Sequence, residues 1–218
     1  MKQKLFLTSA GIVRELRNEF VQLLGKDPKN SIVCFIATAA DPEKDKGFVE
    51  ADRKKLREAG LKIRELDLKS ENKNSLYKKL SDYDVIYVGG GNTFYLLNWV
   101  RKSGFKEIIN DLLEQGKIYV GASAGSYIVC PTIEQGLWKQ EYPDKETFGV
   151  TDYKSLNLVP FWIIAHFTEK WRPDIEKAAK TTKDPIVALN DKQAVLVKGE
   201  NCKIVGKGEK LTFNINQF

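Results

Sequence analysis

The pentapeptide Gly-Ala-Ser-Ala-Gly at residues 121–125 surrounds Ser123 with small side chains. It follows the apolar run KIYV and precedes the apolar run YIV, an order typical of a tight turn between a strand and a helix. In such a turn the serine hydroxyl projects above the sheet edge, and the N–H groups of the following helix point at any developing oxyanion. The pattern favours Ser123 as a nucleophile. Because the motif is short, a turn that only packs a helix closely onto a sheet is the alternative.

A second glycine-rich turn, Gly-Gly-Gly-Asn-Thr, lies at residues 89–93 after the apolar run DVIYV. Without a Cβ, glycines let backbone N–H groups approach a ligand closely. An oxyanion-binding role suits this turn, since acyl transfer needs convergent N–H donors beside the nucleophile. The sequence lacks Gly-x-Gly-x-x-Gly and a following Gly-Lys-Ser/Thr, which argues against a nucleotide site. A plain turn in which Asn92 caps the next helix is the other interpretation.

His166 is the single histidine of the chain. A serine hydroxyl is a weak nucleophile until a base takes its proton, and histidine is the commonest base. His166 ends the apolar segment LNLVPFWIIAHF, which we expect to be a strand ending at the same sheet edge as the two glycine-rich turns. A lone histidine beside apolar residues is more often a core side chain. Its convergence with both turns favours a base for Ser123 and hence a serine hydrolase.

Strand-like and helix-like segments alternate along most of the chain. Short β-branched or aromatic runs, most of them nearly continuous in apolar residues, predict strands at KLFLTSA, SIVCFIATAA, LKIRELDL, DVIYVGGG and KIYVGASA. Apolar residues at helical spacing predict helices at IVRELRNEFVQLLG, GFVEADRKKLREAG, KNSLYKKLSD and TFYLLNWVRKSGFKEIINDLLEQG. This alternation predicts an α/β fold with a mostly parallel sheet and helices on both faces. After Pro185, short strands joined by NDKQ, KGEN and GKGEK predict C-terminal β-hairpins.

Composition indicates one globular domain over residues 1–218. The chain is 42% hydrophobic, and it has no repeat, low-complexity segment or linker. Its 35 basic and 29 acidic residues are interleaved, which argues against a nucleic-acid partner despite the net charge of +6. No apolar stretch reaches the roughly 20 residues of a membrane span, and the start lacks a signal region, so we expect no membrane partner and a soluble, unexported protein.

The three cysteines are far apart and show no Cys-x-x-Cys spacing. Neither a disulfide framework nor a zinc site is indicated, and we expect reduced, buried thiols. The proposed chemistry needs no metal and no other cofactor.

Four short motifs together resemble the peptidase E family of aspartyl dipeptidases, which is related to cyanophycinase. They are GGGNTF, then GASAGS followed by CPTI, then LNL at 156–158 and HFT at 166–168, in an order that holds from about residue 80 to 172. The resemblance implies a class I glutamine-amidotransferase-like α/β fold in which serine replaces cysteine. It also implies hydrolysis of dipeptides with N-terminal aspartate, no cofactor, and a cytoplasmic role in peptide catabolism. We expect a monomer or homodimer with a small peptide as substrate.

By this resemblance Ser123 is the nucleophile, His166 the base, and the N–H groups of Gly90 and Ala124 form the oxyanion hole. Arg172 roughly matches an arginine that holds the aspartate side chain of the substrate. Arginine suits that role because its planar fork binds a carboxylate through two parallel hydrogen bonds. A solvated arginine in front of a helix beginning at Pro173 is the alternative.

A third catalytic residue has to accept a hydrogen bond from the second imidazole nitrogen. The segment Glu141-Tyr142-Pro143 resembles the acid-x-Pro segment of the family, which implies Glu141 for this role. Asp144 is the second candidate and Glu134 the third. The stretch between Ser123 and His166 is longer than in the family, and Glu141 is also interpretable as a solvated charge in a polar loop.

Two other functions fit parts of the pattern. An esterase of the α/β-hydrolase type shares the Gly-x-Ser-x-Gly turn and the order serine, acid, histidine. A binding module that kept the scaffold and lost catalysis is the second, because a fold does not guarantee chemistry.

Overall fold

The computed structural model describes residues 3–138 and 146–215. The strands are β1 (Lys4–Thr8), β2 (Ile32–Ile36), β3 (Lys62–Glu65), β4 (Val85–Val88), β5 (Ile118–Ala122), β6 (Trp162–Ile164), β7 (Ile186–Ala188), β8 (Gln193–Lys198), β9 (Asn201–Gly206) and β10 (Leu211–Phe213). The α-helices are α1 (Arg17–Leu24), α2 (Gly47–Glu58), α3 (Lys73–Ser81), α4 (Thr93–Lys102), α5 (Phe105–Glu114), α6 (Ala124–Tyr127) and α7 (Arg172–Thr182).

A seven-stranded sheet with the order β3-β2-β4-β5-β1-β8-β9 forms the centre of the molecule. The first five strands in this order are parallel, and β8 and β9 continue the sheet as an antiparallel hairpin. Thr8 at the end of β1 lies opposite Ala122 at the end of β5. The α/β fold with a mostly parallel sheet and a C-terminal hairpin, predicted from the alternating pattern, is confirmed.

Helices cover both faces of the central strands of this sheet. Consecutive residues of a strand point to opposite faces, so they contribute to two separate cores. Leu5 and Leu7 belong to the core that includes the apolar faces of α3, α4 and α5, whereas Phe6 belongs to the core that includes α1 and α2. Strands buried on both faces explain the continuous apolar runs in the sequence.

A second sheet of three strands, with the order β10-β7-β6, lies beside the first. Strands β6 and β7 are parallel, and β10 is antiparallel to β7. Ile163 packs into the main core, whereas Trp162 and Ile164 pack with α7. His166 therefore follows a strand of the small sheet, and the expectation that this strand belongs to the main sheet was wrong.

The long helical segment at 93–116 is two helices. α4 ends at Lys102 and α5 begins at Phe105, and Gly104 between them has a φ of +77°. A left-handed residue stops an α-helix, and glycine adopts that conformation without a Cβ clash. No helix within the described residues is long and apolar enough to cross a membrane.

Candidate active site

Ser123 lies on the sharp turn between β5 and α6. Its φ of 50° and ψ of −109° lie outside the regions that residues other than glycine usually adopt. The Ser123 N–H donates to the Thr8 carbonyl oxygen at 3.0 Å, which holds the turn against the end of β1. Such strain is maintained only where the surrounding structure fixes it, and it is found at functional sites.

Two glycines make the turn sterically possible. A Cβ on Gly125 would lie 2.0 Å from the Val88 carbonyl oxygen, and one on Gly121 would lie 2.6 Å from the Gly125 carbonyl oxygen. The sequence therefore needs glycine on both sides of Ser123 so that α6 can approach β4 and β5. This contact explains the Gly-x-Ser-x-Gly spacing in physical terms.

The other glycine-rich turn lies directly against Ser123. A Cβ built on Gly90 would lie 3.2 Å from the Ser123 Cβ, and Gly91 approaches the Ala39 carbonyl so closely that a Cβ would be 2.1 Å from its oxygen. Asn92 caps α4 by accepting a hydrogen bond from the Tyr95 N–H at 2.9 Å. The turn therefore does both: Asn92 caps α4, and Gly90 lies close to Ser123.

The predicted oxyanion donors are the N–H groups of Gly90 and Ala124. Within the described residues neither N–H group has a hydrogen-bond acceptor. Ala124 is the first residue of α6, where a backbone N–H has no acceptor in its own helix. Both donors belong to residues that flank the Ser123 side chain, so they are available to a negatively charged oxygen there.

The imidazole of His166 contacts the Ser123 hydroxyl. The distance from His166 Nε2 to Ser123 Oγ is 3.1 Å, which is within hydrogen-bond range. His166 has a φ of 55°, another left-handed backbone, and its side chain is 46% exposed. The lone histidine is therefore not a core side chain, and a substrate has access to it from solvent.

The carboxylate on the other side of this imidazole is Asp191. Its Oδ1 lies 2.6 Å from His166 Nδ1. Asp191 lies in the turn between β7 and β8, where the Gln193 N–H donates to the Asn190 carbonyl oxygen. This residue was not identified from the sequence, where its one signal is its position two residues after the apolar run IVAL. Like Ser123 and His166, Asp191 follows the carboxyl end of a strand.

Of the three acids considered from sequence, Glu141 and Asp144 lie outside the described residues. Glu134 begins the 3-10 helix Glu134–Leu137, and its backbone N–H is bonded to Thr132 Oγ1 at 3.2 Å.

Arg172 begins α7 and is paired with a carboxylate of its own chain. Its Nε and one terminal nitrogen lie 2.6 and 2.9 Å from the two carboxylate oxygens of Glu169. Glu209 lies 3.9 Å away, and the guanidinium lies over the Phe167 ring. The hydrogen bonds that Arg172 donates to the Glu169 carboxylate raise the pKa of Arg172. Arg172 thus uses the bidentate geometry that was expected for a substrate carboxylate, six residues beyond His166.

Cys130 is the nearest thiol to the nucleophile in sequence, and it is buried. Burial raises its pKa to about 12, so the thiol is protonated at neutral pH and is a poor nucleophile. Among the described residues, no group of three His, Cys, Asp or Glu side chains is arranged to hold a metal ion. The candidate reactive groups are therefore the Ser123 hydroxyl, the His166 imidazole and the Asp191 carboxylate.

A cavity of about 420 Å³ opens beside the 3-10 helix Thr38–Ala40, which touches Gly91. Its lining includes Asp41, Lys46 and Arg53. Ser123 and His166 do not line it, so it is adjacent to the glycine turn and separate from the hydroxyl–imidazole pair.

A serine, an imidazole and a carboxylate joined in series at the carboxyl edge of an α/β sheet have the geometry of a serine-type hydrolase. The sequence profile of peptidase family S51 matches residues 5–205. An uncharacterized peptidase of Pasteurella multocida (strain Pm70) is 32% identical over 209 residues, which cover 94% of this chain and 98% of that protein. A peptidase E of Shewanella denitrificans is 26% identical over 209 residues, with 91% and 84% of the two chains covered.

A solved structure supports the same assignment. The crystal structure of a candidate peptidase E protein from Listeria monocytogenes EGD-e superimposes with a TM-score of 0.80 and 28% identity, covering 94% of this chain and 99% of that one. The chain belongs to peptidase family S51 and is a serine-type peptidase, as the resemblance to peptidase E predicted.

Proposed function

We propose that the enzyme hydrolyses dipeptides with N-terminal aspartate through an acyl-enzyme on Ser123, with His166 as base and Asp191 as the orienting carboxylate. The observation that carries the proposal is the single imidazole bonded to Ser123 Oγ at 3.1 Å and to Asp191 Oδ1 at 2.6 Å. We assign the third role to Asp191 in place of Glu141, because Asp191 is the carboxylate found on Nδ1. By the family resemblance, we expect this reaction to serve peptide catabolism in the cytoplasm.

The chemistry proceeds in two halves. His166 Nε2 takes the Ser123 proton while Oγ attacks the scissile carbonyl, and the imidazolium then gives that proton to the leaving amine. Water, deprotonated by the same nitrogen, attacks the acyl-enzyme and releases the acid. Asp191 holds the Nδ1–H and stabilises the imidazolium that forms in both halves.

The carbonyl oxygen becomes negatively charged as the tetrahedral intermediate forms. The N–H groups of Gly90 and Ala124 flank the serine and lack acceptors within the described part of the chain, which supports them as the oxyanion donors. Donors fixed before the reaction stabilise the developing charge without having to reorganise.

Substrate selection is assigned to Arg172. The side-chain carboxylate of an N-terminal aspartate would take the place of Glu169 on the guanidinium, because both groups offer two oxygens to the same fork. Exchange of one carboxylate for another keeps the charge of the pair neutral. Exposed pairs of this kind are weak, so the exchange is feasible.

The test is a panel of dipeptides that differ only in the first residue, assayed with the wild type, Arg172→Met and the matched control Lys170→Met. We expect Asp-Leu to be cleaved best by the wild type, and Arg172→Met to lower kcat/KM for Asp-Leu much more than for Ala-Leu. The control should keep the wild-type preference.

Equal losses on both peptides would show that Arg172 does not read the aspartate. Turnover of a p-nitrophenyl ester with no cleavage of any dipeptide would favour the esterase. No turnover of any substrate by folded protein would favour the binding module.

A further inference from the structure

The dipeptide Thr8-Ser9 at the end of β1 is hydrogen-bonded to the backbone of all three segments that carry the proposed triad. Both residues are buried, with Thr8 0% and Ser9 1% exposed. Neither residue is hydrogen-bonded to Ser123 Oγ or to the His166 ring. Their hydrogen bonds can therefore affect catalysis only through the positions of the segments that carry these groups.

Thr8 holds the serine turn. Its carbonyl oxygen accepts from the Ser123 N–H at 3.0 Å and from Ser126 Oγ at 2.7 Å. Its hydroxyl donates to the Gly121 carbonyl oxygen at 2.9 Å. The left-handed backbone of Ser123 is therefore fixed to the last residue of β1.

Ser9 holds the other two segments with one hydroxyl. Its Oγ accepts from the His166 N–H at 3.1 Å and donates to the Leu189 carbonyl oxygen at 2.9 Å. The same Leu189 oxygen accepts from the Phe167 N–H at 2.8 Å. The Ser9 hydroxyl thus joins the backbone of His166 to Leu189, which follows β7 and precedes Asp191 by two residues.

The backbone conformation at His166 is a reason for this contact. His166 has a φ of 55°, a conformation that is uncommon for residues other than glycine. The N–H at such a residue needs an acceptor when it is removed from water. Within the described residues Ser9 Oγ supplies it, so the direction of the imidazole depends on this hydroxyl.

The segment that carries Ser9 is itself firmly held. Lys55 Nζ donates to the Ala10 carbonyl oxygen at 2.7 Å and lies 2.9 Å from the buried Asp52. Asp52 also accepts from Tyr87 Oη at 2.7 Å, and Gly11 packs against both of these side chains. A rigid support is what a positioning contact requires.

We propose that Ser9 is a positioning residue for catalysis, whose hydroxyl keeps the His166 imidazole aligned with Ser123 and Asp191. The inference rests on the proposed function, because it assigns Ser9 a role in the same reaction. Ser9 does not touch the substrate. It acts through the backbone of His166 and of Leu189.

The experiment compares Ser9→Ala with the matched control Ser31→Ala. Ser31 is also buried, and its Oγ donates to the Asp27 carbonyl oxygen at 3.3 Å, but it lies before β2 at the opposite edge of the main sheet. We expect Ser9→Ala to lower kcat about 10- to 100-fold with KM changed less than about twofold, because misplacing a reacting group by about 1 Å has effects of this order. Ser31→Ala should keep wild-type kcat.

A spectroscopic signature separates alignment from general stability. Because the chain has one histidine, the low-field proton resonance of the Nδ1–H bonded to Asp191 belongs to His166 without further assignment. We expect this resonance to weaken or broaden in Ser9→Ala at a temperature where circular dichroism shows folded protein. In Ser31→Ala it should stay as in the wild type.

Ser123→Ala is assayed alongside, so that the two proposals fail separately. Activity in Ser123→Ala would overturn the proposed function. An inactive Ser123→Ala together with wild-type kcat in Ser9→Ala would overturn the role of Ser9 alone, as would an equal loss of kcat in Ser31→Ala. If Ser9→Ala does not fold, Ser9→Cys fills the same space with a weaker hydrogen-bonding group and is expected to show the same loss of kcat and of the resonance.

Discussion

In the proposed mechanism Ser123 and His166 act as one chemical unit, since the hydroxyl would have no base without the imidazole. We predict that Ser123→Ala and His166→Ala each lower kcat by up to about 10⁶-fold, and that the double variant is little worse than either. Steady-state kinetics on a cleaved dipeptide measures all three variants. Losses that add up in the double variant would contradict the pairing seen at 3.1 Å.

In the proposed mechanism Asp191 orients the base and does not form or break a bond to the substrate. Asp191→Asn should therefore lower kcat by up to about 10⁴-fold, a smaller loss than for the nucleophile, because the amide favours the wrong imidazole tautomer. Glu141→Gln is the comparison, and it should keep most of the activity. A crippled Glu141→Gln beside an active Asp191→Asn would return the third role to the acid that the family resemblance implied.

The sequence predicted those candidate site residues that carry a local signature. Ser123 has flanking glycines and His166 is the single histidine, so both were predicted. The position of Asp191 two residues after an apolar run is a weak signal, because the chain contains 29 acidic residues and the contact with His166 joins positions 25 apart. Arg172 was singled out only through the resemblance, and its pairing with Glu169 depends on how α7 starts.

The turn that carries Ser123 depends on the close packing of α6 against β4 at Gly125. We predict that Gly125→Ala lowers the free energy of unfolding by about 1–3 kcal/mol or more, since the new methyl group would overlap the Val88 carbonyl and force α6 away from β4. Urea denaturation measures this change. Covalent labelling of Ser123 by a fluorophosphonate, a reagent for activated serines, should slow as well, because the turn would move away from Gly90.

Gly136→Ala is the control for this substitution. Gly136 lies in the 3-10 helix Glu134–Leu137, and a Cβ there would lie 3.5 Å from the Phe94 ring, an ordinary contact. The free energy of unfolding of Gly136→Ala should lie within about 0.5 kcal/mol of the wild-type value. Equal stability of Gly125→Ala and the wild type would show that α6 does not need glycine.

Local sequence patterns predicted where most strands lie, but they did not predict which strands pair with each other. Four of the five parallel strands, β1, β2, β4 and β5, are buried on both faces, so their sequences are apolar at consecutive residues. The sequence of β6 is equally apolar, but nothing in it indicates that it pairs with β7 in a separate sheet. Pairing depends on contacts between distant segments, which a local pattern does not contain.

At the scale of the whole molecule, we propose that the chain is one domain. The small sheet and the main sheet meet at the site, where Ser9, the residue after β1, is hydrogen-bonded to His166 and Leu189. We predict a single cooperative unfolding transition in urea. Fluorescence of Trp162 and Trp171, which pack with α7 and the small sheet, should change at the same urea concentration as the far-ultraviolet circular dichroism. Two separate midpoints would mean that the small sheet unfolds independently.

The most direct test of the account is the reaction of the folded protein with a fluorophosphonate, followed by intact-mass and peptide mass spectrometry. A fluorophosphonate phosphonylates a serine only if the hydroxyl is activated, so the reagent reports the pairing of Ser123 with His166 and needs no knowledge of the substrate. We predict one adduct, located on Ser123, which is absent in Ser123→Ala and forms far more slowly in His166→Ala. An unlabelled wild type that is folded, or an adduct that persists in Ser123→Ala, would contradict the account.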